Sequence, residues 1–174
     1  LLHEHRHKKI MIIGHSMGVT LARKAIKGGS ASDSLEGGYY NLGSSLTSSV
    51  DTFVGIAGSN LGLTACYLSG PTTPTCGSTN GFYPGYLWWG WVMGRSDILD
   101  DLRSSSGYEG SKVYTIWSKI DEIIGYGCVV YGSYTTRIPG QDGEKVYSRV
   151  PYGHFGTKNL TGSIQYNMVK NHSY

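Results

Sequence analysis

An α/β fold with a mostly parallel sheet is predicted by the alternation of strand-like and helical patterns along the chain. Short apolar or β-branched runs at residues 10–13, 50–57, 112–118 and 145–150 have the length of strands. Apolar residues recur at helical spacing after the first run and again after the last. Because alternating strands and helices favour parallel sheets, we expect ligands to bind at the carboxyl ends of these strands.

The sharpest motif, GHSMG at residues 14–18, lies between the first strand and a helix that ends at Gly28. The strand Ile10-Met11-Ile12-Ile13 is apolar throughout, which predicts burial on both faces of the sheet. A strand, this motif and a helix are the context of a nucleophile elbow, in which a serine is exposed on a tight turn. A glycine-rich turn without chemistry is the alternative.

The elbow assigns a role to each of its residues. Ser16 is the candidate nucleophile, and Gly14 and Gly18 are expected to leave room where the turn brings the chain close to itself. The N–H of Met17, at the start of the helix, is the candidate oxyanion donor. His15 is expected to pack beside the sheet rather than to join the chemistry.

A serine nucleophile needs a base and an acid, and these follow the serine in chain order in enzymes with such an elbow. Asp121 comes directly after the run KVYTIWS, and His154 follows KVYSRV. We therefore expect Ser16, Asp121 and His154 to form a catalytic triad, with Glu122 as the alternative acid. Other carboxylates fit less well because they precede a strand or lie in a helix or polar loop: Asp51, Asp97, Asp100, Asp101 and Asp142.

Length and composition indicate one globular domain of 174 residues, with 39% hydrophobic and 16% charged residues. A formal charge of +3 argues against a nucleic-acid partner. The aromatic run at residues 86–93 is far shorter than the roughly 20 residues of a membrane-spanning helix. We expect no cofactor and no metal site, because the alternating His3, His5 and His7 have no further ligand cluster nearby.

Secretion is predicted by the cysteines and by two glycosylation sequons. Cys66 and Cys76 bracket a loop-like stretch rich in Pro, Thr and Gly, which predicts a disulfide. Cys128 is then either a buried thiol or the partner of a cysteine elsewhere. The sequons place candidate glycans on Asn159 and Asn171. Because only nine residues precede the elbow strand, we expect the chain to be the C-terminal part of a longer protein, with earlier strands and a signal peptide upstream.

Between the second and third strands, residues 59–110 form a long insertion that we consider a candidate lid or acyl-pocket region. It contains an aromatic segment with the candidate substrate-contacting residues Tyr86, Leu87, Trp88, Trp89 and Trp91. An aromatic cluster that covers the sheet is the alternative. Residues 96–103 predict a short helix capped by Ser96, whereas the Gly/Ser-rich residues 28–49 predict an irregular connection.

With these residues located, the sequence resembles the α/β-hydrolase lipases, and more narrowly the class 2 lipases, a bacterial secreted esterase/lipase family abundant in nematodes. The matching blocks are IIGHSMG, FVGIAGSNLG, WSKIDEIIG and IPGQDGEKVYSRVPYGHFGTKNLTG. The resemblance implies an α/β-hydrolase fold and a secreted lipase or carboxylesterase that acts on lipid esters through Ser16, Asp121 and His154. It also implies that a second oxyanion donor follows an earlier strand.

Two alternatives to lipid ester hydrolysis stay open at this point. A catalytically inactive hydrolase-fold protein would use the aromatic segment to bind a lipid or a partner. An acyltransferase would use the same three residues but would pass the acyl group to an alcohol instead of to water. The sequence does not determine the acyl-chain preference or the oligomeric state.

Overall fold

The computed structural model describes residues 8–33 and 37–174 and has helices on both sides of a central sheet. The strands are β1 (Ile10–His15), β2 (Ser30–Asp33), β3 (Gly38–Asn41), β4 (Val50–Ile56), β5 (Tyr86–Trp88), β6 (Trp91–Met93), β7 (Lys112–Ser118), β8 (Val129–Val130), β9 (Ser133–Tyr134) and β10 (Gly143–Tyr147). The α-helices are α1 (Met17–Lys27), α2 (Thr64–Ser69), α3 (Asp97–Arg103), α4 (His154–Asn159) and α5 (Gly162–Asn171).

The central sheet has the strand order β1-β4-β7-β10, and every neighbouring pair is parallel. The first three predicted strands are therefore confirmed. The fourth was predicted at residues 145–150 but occupies Gly143–Tyr147. Its last pair joins Tyr147 to Ser118, the final residue of β7, so the residues after Tyr147 have no strand beside them.

Successive side chains along the strands alternate between two apolar layers, one on each face of the sheet. On the first face, Phe53 and Val113 pack with Val19 and Ile26 of α1. The second face buries a larger cluster that includes Met168 of α5; its other members are Val54, Ile56, Ala57, Tyr114, Ile116, Trp117, Ile124 and Cys128. This arrangement of a parallel sheet between helices confirms the predicted α/β architecture.

The strand β1 forms one edge of the sheet in the part of the chain that the structure describes. Ile10, Met11 and Ile13 have exposed fractions of 53%, 45% and 46%. The prediction that this apolar strand is buried on both faces is thus wrong for the described residues. A parallel sheet buries a strand fully only where other elements cover it on all sides.

Three local predictions differ from the structure. Residues 28–49 contain the antiparallel hairpin β2–β3, whose four-residue strands show no apolar alternation in the sequence. Ser96 does precede α3, but its hydroxyl donates to the Gly81 carbonyl at 2.7 Å and does not cap the helix. The single helical pattern after the last predicted strand is divided into α4 and α5, and Leu160 between them is half exposed.

The predicted disulfide between Cys66 and Cys76 is present and buried. It links α2 to a short turn that follows it, so the stretch is partly helical. Cys128 is a buried free thiol that donates to the Ser118 carbonyl at 3.1 Å. Burial, together with the negative charge of Asp121, raises the pKa of this thiol to about 12, which keeps it protonated.

A buried ion pair connects α1 to the segments that precede β7 and follow β4. The guanidinium of Arg23 bonds the Glu109 carboxylate at 2.8 Å and donates to Asn60 Oδ1 at 2.9 Å. Both charged side chains are at most 1% exposed. Because an isolated charge in such a place is costly, this pair fixes α1, and with it the turn that precedes α1, against the sheet.

We expect Glu109→Ala to lower the free energy of unfolding by about 3–5 kcal/mol, because it leaves the buried Arg23 without its counter-charge. Urea denaturation of the intact protein measures the change. Lys112→Met is the matched control, since it removes an exposed ion pair with Asp142 and should have a much smaller effect. Equal losses in the two variants would contradict the role assigned to the buried pair.

Candidate active site

Ser16 occupies the turn between β1 and α1 in a backbone conformation that L-residues rarely adopt, with φ 57° and ψ −129°. Such a conformation costs roughly 1–3 kcal/mol, and surrounding interactions must hold it in place. The Ser16 N–H donates to the Ile56 carbonyl at 2.8 Å, and the Ser16 carbonyl accepts from the Val19 N–H at 3.0 Å. The turn therefore has the strained geometry expected of a nucleophile elbow.

The two glycines of the motif have different surroundings. A Cβ at Gly14 would lie 3.0 Å from the Gly18 carbonyl oxygen and 3.0 Å from the Val19 Cα, both of which are rigid backbone. A Cβ at Gly18 would meet none of the described atoms within 4 Å. Close approach of the chain thus explains glycine at position 14, whereas the described residues impose no such steric requirement at position 18.

Met17 is the first residue of α1, so its N–H has no acceptor within the helix. Its side chain is exposed, and its backbone lies next to Ser16 at the positive end of the helix. An N–H in this position can donate to an oxyanion that forms at the serine.

His154 and Asp121, which are 33 residues apart in the chain, form a buried hydrogen-bonded pair. His154 Nδ1 lies 2.9 Å from Asp121 Oδ2 and 3.1 Å from Oδ1, and the two side chains are 2% and 0% exposed. An ionised carboxylate only accepts hydrogen bonds, so a neutral imidazole paired with it in this way has its hydrogen on Nδ1 and its lone pair on Nε2. This tautomer is the one in which histidine acts as a base towards a serine.

The loop after β7 orients Asp121 and gives the two adjacent carboxylates, Asp121 and Glu122, different hydrogen-bond partners. Asp121 Oδ1 accepts from the backbone N–H groups of Ile123 at 3.0 Å and Ile124 at 2.8 Å. Glu122, the alternative acid, instead accepts from the backbone N–H of His154 at 3.0 Å. Only Asp121 among these two contacts the imidazole.

His15 lies against His154, which the sequence did not predict. Its ring centroid is 4.7 Å from that of His154, and its Nε2 is 3.1 Å from the His154 carbonyl oxygen. Burial lowers the pKa of His15, so the ring is neutral at pH 7 and donates through Nε2. The motif offered no signal for this contact, because the partner is 139 residues away.

The contact made by His15 brings the elbow next to the histidine, since Ser16 is the adjacent residue. No hydrogen bond joins the Ser16 hydroxyl to His154 within the described ranges. Asp121 and His154 are thus paired directly, while the serine turn is linked to them through the contact of His15 with His154. Catalytic hydrogen bonds that involve the nucleophile often form only when substrate is bound.

The aromatic segment forms the hairpin β5–β6, and most of its side chains are exposed. Its turn residues Trp89 and Gly90 both have positive φ, 49° and 83°, as a two-residue turn of type I′ requires. Trp89 is 87% exposed and Trp91 is 75% exposed. Partial exposure extends to the other aromatic and apolar side chains of the two strands, namely Tyr86, Leu87, Trp88 and Met93.

An apolar cavity of about 290 Å³ lies between this hairpin and the segment that follows the acid loop. Leu87 contributes to its wall from the hairpin, Tyr67 from α2, and Tyr131 from the turn between β8 and β9. Thr64, also in the wall, donates to the carbonyl of Ile124, whose N–H bonds Asp121. Two hydrogen bonds therefore connect the wall of the cavity to the carboxylate of Asp121.

The predicted glycosylation sites lie at the ends of the two helices that begin with and follow His154. Asn159 and Asn171 are exposed, and their glycosylation stays a prediction. His172 bonds Asp51 and Thr52 at the opposite end of β4. The described ranges contain no group of three or more potential metal ligands, and the histidines at 3, 5 and 7 lie outside those ranges. No helix in the described part of the chain is long and apolar enough to span a membrane.

Comparison with known proteins gives a family and a likeness to solved structures. No curated protein sequence matches the chain. A solved structure to which the chain is similar is described as one of LipS and LipT, two metagenome-derived lipolytic enzymes. The TM-score is 0.46 and the identity 14%, over 95% of this chain and 65% of that protein. The chain thus spans less than two thirds of that protein's length.

The family model described as "Lipase (class 2)" matches residues 3–167. The match includes the elbow, the loop with Asp121 and the start of α4 with His154. It does not test the association with nematodes, which stays a prediction. The chain therefore belongs to the class 2 lipase family, and its parallel sheet with flanking helices fits an α/β-hydrolase-like fold.

Proposed function

We propose that the chain is the catalytic part of a secreted serine hydrolase that cleaves carboxylic esters of lipids. The observation that carries the proposal is the buried pair of His154 and Asp121 beside a strained serine turn. Membership in a lipase family supports an ester of a lipid as the substrate. A buried disulfide supports an oxidising, extracellular setting.

In the proposed reaction, His154 Nε2 accepts the proton of the Ser16 hydroxyl while the serine oxygen attacks the ester carbonyl. Asp121 keeps the hydrogen on Nδ1 and stabilises the imidazolium that forms. The Met17 N–H donates to the oxyanion of the tetrahedral intermediate. His154 then returns the proton to the leaving alcohol, and a water molecule activated in the same way releases the acid from the acyl-enzyme.

The hairpin β5–β6 is proposed to meet the apolar part of the substrate as a lid or as part of an acyl-binding wall. Residues 77–94 contain no Asp, Glu, Lys or Arg, so entry into an apolar phase leaves no charge of this segment without water. Trp and Tyr favour the boundary between water and lipid. The exposed tryptophans of the hairpin therefore suit the surface of an aggregated lipid.

Ser16→Ala should lower kcat for a short-chain chromogenic ester by about 10⁴-fold or more, because no other group can form the acyl-enzyme. The variant should also lose labelling by a fluorescent phosphonate that esterifies nucleophilic serines. Ser48→Ala, which changes an exposed serine, is the control and should retain both properties. Retained hydrolysis in the Ser16 variant would remove the nucleophile assignment, and a wild-type protein that binds lipid without hydrolysis would favour the inactive binding protein.

Ser16→Gly should be more stable than Ser16→Ala by about 1 kcal/mol, although neither variant has a hydroxyl. Glycine relieves roughly 1–3 kcal/mol of backbone strain at positive φ and loses about 0.4–1 kcal/mol through the more flexible unfolded chain. Urea denaturation of the two variants measures the difference. If alanine is as stable as glycine at this position, the turn is not strained.

Replacement of Trp89 and Trp91 by serine should lower kcat/KM on an emulsified long-chain ester by about tenfold or more, because burial of two such rings contributes several kcal/mol. Hydrolysis of a soluble short-chain ester should change little. Tyr39→Ser is the matched control, since Tyr39 lies on another hairpin and is 76% exposed against 75% for Trp91. A similar loss on both esters would show that the tryptophans support the fold rather than the contact with lipid.

A further inference from the structure

The peptide groups on either side of His154 are held by two side chains from distant parts of the sequence. The Glu122 carboxylate accepts from the His154 N–H at 3.0 Å, and His15 Nε2 donates to the His154 carbonyl at 3.1 Å. His15 directly precedes the serine of the elbow, and Glu122 directly follows the acid. Each of the other two catalytic segments therefore contributes one hydrogen bond to the main chain of the histidine.

The contact from His15 has two components. One is the hydrogen bond to the carbonyl, and the other is the packing of the His15 ring against the imidazole, with centroids 4.7 Å apart and planes inclined by 53°. The hydroxyl of Thr157 also donates to this carbonyl at 2.9 Å, but Thr157 belongs to the same helix as His154. Only the bond from His15 ties the carbonyl to the elbow.

The contact from Glu122 depends on the glycine before the histidine. The His154 N–H begins α4 and has no acceptor within the helix, and Gly153 has no side chain to cap it. A Cβ at Gly153 would lie 2.5 Å from Glu122 Oε2. The carboxylate can therefore approach the His154 N–H only because Gly153 has no Cβ. With φ −77° and ψ −160°, the Gly153 backbone would accept alanine without strain.

We propose that His15 and Glu122 are positioning residues that together fix the main chain of His154 between the nucleophile and the acid. The inference rests on the proposed function, because it assigns a catalytic role to His154. Asp121 by itself fixes one ring nitrogen but leaves the imidazole free to move with its backbone. Bonds on both sides of the residue restrict that movement and keep Nε2 directed towards the hydroxyl of Ser16. A displacement of about 1 Å in such a group can cost about 10²-fold in rate.

Steady-state kinetics of the intact protein on a soluble short-chain ester test the proposal. His15→Phe keeps a ring against the imidazole but removes the donor, and Glu122→Ala removes the acceptor. Each change should lower kcat about tenfold and leave KM within about twofold, because alignment of the base matters more in the transition state than in binding. His15→Gln and Glu122→Gln keep a donor and an acceptor and should recover most of the lost rate.

Gly153→Ala tests the same contact without a change to either carboxylate. The added methyl group should displace Glu122 from the N–H and reproduce the kinetic defect of Glu122→Ala. In the double variant Gly153→Ala/Glu122→Ala the second change should add little, because the bond is already lost. Thermal unfolding of each variant shows whether it is folded at the temperature of the assay.

The outcomes separate this proposal from the function on which it rests. If the wild-type protein neither hydrolyses the ester nor reacts with the serine-directed phosphonate, the proposed function fails. If the wild-type protein does both, but folded His15→Phe and Gly153→Ala variants keep the wild-type kcat, the positioning role is overturned. A parallel rise in KM and fall in stability, with no recovery in the glutamine variants, would also overturn it, because such a pattern indicates only structural support.

Discussion

The candidate site depends on the parallel pairing of four strands. Because β1, β4, β7 and β10 all run in one direction, the segments that follow them all begin at the carboxyl end of the sheet. Hydrogen bonds continue the pairing just beyond the strands, from Ser16 to Ile56 and from Lys119 to Tyr147. The serine turn and the acid loop therefore begin from fixed positions, and the histidine is brought to them by the chain that follows β10.

Contacts elsewhere in the fold stabilise the segments at the carboxyl ends of these strands. The serine turn has an unfavourable backbone conformation, and α1 behind it is secured by apolar contacts and by the buried pair of Arg23 and Glu109. The imidazole and the acid are enclosed, so their hydrogen bond does not compete with water. Stability elsewhere in the domain thus compensates for strain and buried charge at the site.

In the insertion between β4 and β7, by contrast, apolar side chains are exposed without a gain in stability. It contains a disulfide and a short helix, but its hairpin leaves aromatic side chains in water and places an apolar cavity close to the acid loop. Exposed apolar surface of this kind has no benefit for the stability of the isolated chain. Its presence is understandable if the surface contacts something apolar during function, as a lipid substrate would require.

Short-range sequence patterns were sufficient to predict the local elements of the candidate site. Gly14 and Ser16 between a strand and a helix, Asp121 directly after a strand, and the disulfide between Cys66 and Cys76 were all predictable from short-range patterns. The sequence did not determine which polar groups meet, because contacts such as those of His15 and Glu122 with His154 join residues far apart in the chain. The predicted burial of β1 and the predicted end of β10 were also wrong, since both depend on which strand lies alongside. Local patterns specify how each segment folds, whereas the surroundings of each side chain follow from how distant segments pack together.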